Sequence, residues 1–146
     1  MPLSQVEEYL RHSGKPTEWH NKALVIRPKK NDPFLVRFVE ERHGWVKGQV
    51  YVSLGKSAKE ITRVDQFLIE VEKRLGTGVQ IGFQPKGNIF SIQRILVDDD
   101  LLLEIEGLLL VNNHLFPLFL RVGETGRWDK DLISLAFTSP EFLPQA

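Results

Sequence analysis

The chain predicts an α+β fold, a mainly antiparallel sheet in the element order α-βββ-α-ββ-ββ with two helices packed on it. Three observations predict it. Two segments repeat apolar residues at helical spacing behind Ser/Glu cap patterns. Several short segments alternate apolar and polar residues. The connections between those segments are too short for the crossovers that parallel neighbours require.

The first helix opens at Ser4, whose spacing to Glu7 is that of a capping box. Val6, Tyr9 and Leu10 share one face, and Ser13-Gly14 followed by Pro16 stops the helix. Thr17-Glu18-Trp19-His20-Asn21 reads as a loop in which the tryptophan anchors onto the core or serves recognition. Ala23 to Arg27 is a short β-prone run, Pro28 to Pro33 a polar turn, and Phe34 to Val39 a strand with Phe34, Val36 and Phe38 on one side. Glu41-Arg42-His43-Gly44 makes a tight connection to a third strand, Trp45 to Leu54. A second capping-box pattern at Ser57 and Glu60 predicts the next helix, with Ile61, Val64, Phe67, Leu68, Val71 and Leu75 as its stripe and Gly76 as its stop. Val79, Ile81 and Phe83 alternate into the turn Gln84-Pro85-Lys86-Gly87, and Ile89 to Val97 returns.

The last third reads two ways. Leu101 to Val111 fits a helix begun by Asp98 to Asp100, or a buried strand that turns at Asn112-Asn113-His114 into Leu115 to Val122. The Asn-Asn pair and the branched, aromatic run after it favour the hairpin, which puts Pro117 on an edge strand. Gly123 to Asp131 is then a polar loop and Leu132 to Phe137 a final short element. Residues 1–138 form a single domain and 139–146 a tail, since no linker, repeat or low-complexity stretch divides the 146 residues. The order of elements over about the first two-thirds is similar to that of the small dimeric chaperones of bacterial secretion systems. That resemblance is one of topology only, carried by no shared motif, and folds host unrelated functions.

Composition narrows the function classes. Nineteen basic and nineteen acidic side chains give no net charge, whereas a dedicated nucleic-acid binder usually carries a positive excess. The absence of cysteine excludes disulfides, thiolate nucleophiles and cysteine-ligated metals. The N-terminus lacks the basic flank and apolar run of a signal peptide, and the run from Leu101 to Val111 is short for a bilayer, so a soluble cytoplasmic protein is expected. His12, His20, His43 and His114 have no paired spacing on a helix, and no nucleophile elbow exists. Gly55-Lys56-Ser57 lacks the upstream glycine of a phosphate loop. No cofactor is expected.

Three candidate sites remain. Leu115, Phe116, Leu118, Phe119 and Leu120 are too apolar for an ordinary edge strand and point to a homodimer or protein-binding groove. Lys29, Lys30, Arg37, Arg42, Trp45 and Lys47 form a basic, aromatic-bearing stretch that could track a nucleic-acid backbone. Asp98, Asp100, Glu104 and Glu106 would share one face of a strand and could hold a hard cation such as magnesium. Charge divides along the chain: residues 1–76 carry 14 basic and 10 acidic groups, residues 77–146 carry 5 and 9. The leading expectation is a non-enzymatic protein-interaction domain, chaperone-like, adaptor or regulatory, and dimeric. Nucleic-acid association and a small metal-dependent enzyme are the alternatives.

Overall fold

A computed structural model describes residues 3–27, 34–41, 44–75, 78–96 and 101–138. The chain runs α1 (Leu3–His12), β1 (Thr17–His20), β2 (Ala23–Ile26), β3 (Phe34–Glu40), β4 (Val46–Ser53), α2 (Val64–Glu72), β5 (Val79–Gln84), β6 (Ile89–Leu96), α3 (Leu101–Thr125) and α4 (Lys130–Thr138). The six strands form one sheet in the order β1-β2-β3-β4-β6-β5, every neighbour antiparallel. The α+β class and the antiparallel sheet are therefore as the sequence predicts.

Side chains alternate across a pleated strand, so register decides which residues share a face. Leu24, Phe38 and Gly48 stand abreast, as do Val36, Val50, Ile92 and Ile81 in the next row. That face is the core. Val46, Val50, Val52, Phe90, Ile92 and Leu96 are buried on it. Gly48 sits under α3 so closely that a Cβ there would lie 2.7 Å from Leu108 Cδ2. α3 packs on β4 and β6, α1 on β1 and β3, and α2 on β5, while α4 docks against α3 and α2. An aromatic cluster fills the centre: Phe90 stacks on Phe119 at 4.2 Å, and Phe67 meets both rings edge-on. All four helices thus line one side of the sheet.

Several readings are corrected. Thr17–His20 is a strand rather than a loop, joined to β2 by a two-residue turn in which Asn21 takes φ 58, a left-handed value asparagine tolerates. α1 begins at Leu3, so Ser4 lies inside the helix. α2 begins at Val64, not after Ser57, because 58–63 is captured by other backbone: Lys59 N–H donates to the Gly123 carbonyl at 2.8 Å and Thr62 N–H to that of Gly126 at 2.9 Å. The expected hairpin over 101–122 is one 25-residue helix that continues through Pro117 and absorbs the start of the expected polar loop. Its core stripe, Ile105, Leu108, Asn112, Leu115, Phe119 and Val122, advances by alternating steps of three and four, the helical period. The turn at 28–33 lies outside the described residues.

Candidate functional site

The opposite face of the sheet is built from the alternate residues of the same strands. Its central row, read through the register, is Val25, Arg37, Gln49, Gln93 and Gln80. Leu35, Tyr51, Ser91 and Gly82 form the row on one side, and Val39, Lys47 and Ile95 the row on the other. No helix among the described residues packs there. Antiparallel sheets tolerate this arrangement because one face can meet water while the other carries the core.

The centre of the face is knitted by hydrogen bonds. Arg37 Nε donates to Gln49 Oε1 at 2.6 Å, and Gln49 Nε2 donates to Gln93 Oε1 at 3.2 Å. The Arg37 guanidinium also lies 5.4 Å from the Tyr51 ring centroid, within cation–π range. Gln49, Ser91 and Val25 are buried although no helix among the described residues covers the face, so longer neighbours close over them. Around this polar centre stand exposed apolar side chains: Leu35 at 38%, Ile95 at 43% and, at the strand entrance, Trp45 at 51%. A depression of about 200 Å³ between Lys47, Gln80, Gln93, Arg94 and Ile95 opens toward β5. A larger one, about 810 Å³, runs round the β1–β2 end past Trp19, His20, Arg37 and Val39.

The sequence candidates distribute differently. Leu115, Leu118 and Phe119 are fully inside the core, Phe116 packs edge-on against Phe34 at 4.5 Å, and Leu120 alone of the five is exposed, at 37%. The apolar excess of that segment is spent on the sheet. Of the basic stretch, Arg37 is held by Gln49 and Tyr51, Lys47 pairs with Glu41 at 3.1 Å and Trp45 is open. Lys29, Lys30 and Arg42 lie outside the described residues. Glu104 and Glu106 stand on α3, two residues and about 200° apart, so they do not share a face. Glu104 is buried, whereas Glu106 accepts the Tyr9 hydroxyl at 2.6 Å and meets Lys15 at 3.8 Å. Asp98 and Asp100 lie outside the described residues, among which no three acidic or histidine groups converge as a metal site.

Two titration shifts follow from local contacts. Burial, then the bond to Glu106, raises the Tyr9 hydroxyl above its ordinary value. Burial lowers His114 below its own, and its ring lies 4.9 Å from that of Phe137. Neither belongs to the open face.

Arg37, Trp45 and Lys47 of the basic stretch lie on this face, but it was not read from the sequence as one surface because its residues are scattered over five strands. The signal available was the polar half of each alternation, in Arg37, Gln49 and Gln93, which looks like ordinary solvated surface until register aligns it. No family model, no curated protein and no solved structure matches the chain.

Proposed function

We infer that the chain is a non-enzymatic protein-interaction domain, adaptor-like or chaperone-like, whose partner lies on the open face of the sheet. One observation carries this reading: all four helices pack on one side, leaving a six-stranded surface with Leu35 and Ile95 exposed around a hydrogen-bonded polar centre. Apolar anchors beside hydrogen-bonding groups with little net charge suit a protein surface better than a phosphate backbone. Gln49 and Gln93 hold Arg37 in a fixed position, so a partner meets a pre-ordered array and loses little affinity to ordering it.

The test is a binding screen of the purified chain against an array of overlapping peptides, repeated with the double variant Leu35→Ser/Ile95→Ser. Retained peptides should centre on apolar residues flanked by polar ones, and the variant should bind them at least about tenfold more weakly. Equal binding by both proteins, or no binding by the wild type, would overturn the assignment.

A further inference from the structure

The two edges of the sheet are built differently. β1 is four residues long, follows Pro16, and carries Glu18 and His20, with Glu18 engaged by His20 at 2.9 Å and Arg27 at 3.6 Å. Trp19 ties it to α1 through a 2.8 Å bond from its indole N–H to Glu7. Short length, charge and a neighbouring proline are the devices by which proteins keep an edge from pairing. β5 is longer, and Val79-Gln80-Ile81-Gly82-Phe83-Gln84 contains no charge and no proline, Pro85 and Lys86 following only in the turn to β6. Its backbone pairs with β6 on one side only, and no strand among the described residues takes the other.

We propose that this edge is a homodimer seam, with β5 of one copy pairing antiparallel to β5 of a second about a two-fold axis at Gly82. This deepens the interaction-domain reading without using the open face that reading assigns to the partner. The strand is self-complementary in that register. Ile81 falls opposite Phe83 of the second copy on the core side, and Gln80 opposite Gln84 on the open side, so apolar meets apolar and amide meets amide. Gly82 meets itself at the axis, and an added Cβ there would lie 2.8 Å from Ser91 Oγ of the neighbouring β6. With no charge on the strand, two copies meet without repulsion, and the row Gln49, Gln93, Gln80 continues into the second sheet.

A strand pair alone falls short of the roughly 800 Å² per partner of a stable interface. α2 supplies the second layer. It lies over β5, and Glu70 and Arg74 mark its flank toward α4, where Arg74 Nη2 donates to Ser134 Oγ at 3.2 Å. Helical geometry sets Val64 and Leu68, half-buried against the core, on the opposite flank, from which they would meet the second copy's α2 in the proposed dimer.

The register makes the proposal testable with two exposed residues. In one copy Gln80 and Gln84 are about 13 Å apart along the strand and do not interact; across the axis they are partners. Sedimentation of the full chain over a wide concentration range should show a dimer. Gln80→Lys/Gln84→Lys should raise its dissociation constant about tenfold or more by setting lysine against lysine twice. Gln80→Lys/Gln84→Glu should restore it, and thermal melts of the same samples should show both variants folded. A wild type monomeric throughout, a dimer that Lys/Lys leaves unchanged, or one that Lys/Glu fails to restore would each overturn the seam. Because only self-association is read, loss of the seam is distinguishable from loss of peptide binding at Leu35 and Ile95.

Discussion

Gly126 shows how much one residue can decide. It takes φ 71 directly after α3, and a Cβ there would run into the Glu60 carbonyl oxygen. Because that space is free, 58–63 lies against the end of α3, with Thr62 N–H bound to the Gly126 carbonyl and the Trp128 indole N–H to the Thr62 carbonyl at 2.6 Å. Gly126→Ala should therefore cost about 2 to 3 kcal/mol, read as a shift in the urea midpoint at unchanged slope, since it combines left-handed strain with a backbone clash. The same contacts explain why the cap pattern at Ser57 and Glu60 starts no helix. Local sequence offers a cap, tertiary hydrogen bonds offer more, and the competing partners lie more than sixty residues away. Asn21 and Gly14 behave in the opposite way. Both residue types tolerate the left-handed turns they take, and the α1 stop at Gly14 was legible for that reason, whereas the turn at Asn21 was read as part of a loop.

α3 carries the largest difference between pattern and structure. Its apolar residues come in clusters, Leu101 to Leu103 and Leu108 to Leu110, that fit a strand or a helix equally. Asn112-Asn113 and Pro117 then looked like turn chemistry. What the pattern concealed is that Asn112 occupies a core position between Leu108 and Leu115, its Oδ1 buried without a hydrogen-bond partner. Pro117 merely withholds one N–H from the Asn113 carbonyl in a helix held by its packing on β4 and β6. His114 Nε2 is likewise buried without a partner, close to Phe137 of α4. Burial lowers its folded pKa, so between that value and the unfolded value near 6.5 the unfolded chain binds more protons. Stability from the neutral ring is fully present above the unfolded value and is lost as pH falls through the folded one. The unfolding free energy of the wild type should accordingly drop more than that of His114→Gln between about pH 7.5 and about pH 5. Parallel pH slopes in denaturant titrations would show that the α3–α4 contact does not sense the proton.

At the scale of the molecule, the two halves of the sequence do not fold as separate bodies. β4 from the first half pairs along its whole length with β6 from the second, and Lys15 meets Glu106. Among the described residues the two halves of the sequence are therefore interleaved in one sheet and its helices. The asymmetry that survives folding is between the faces of the sheet. One holds the aromatic cluster and every packed helix; the other holds Leu35, Tyr51 and Ile95 around three hydrogen-bonded side chains. Alternation in each strand was readable from the sequence, but the gathering of these residues on one surface that no described helix covers depends on register and on where α3 lies. Stability should follow that division. Leu108→Ala empties the contact beneath α3 against Gly48 and should cost about 2 to 5 kcal/mol. Leu35→Ser/Ile95→Ser, on the open face of the same sheet, should stay within about 1 kcal/mol of the wild type in a denaturant melt. A loss on the open face as large as that of Leu108→Ala would mean that those side chains are held in a core, and the surface would then have no anchors to offer a partner.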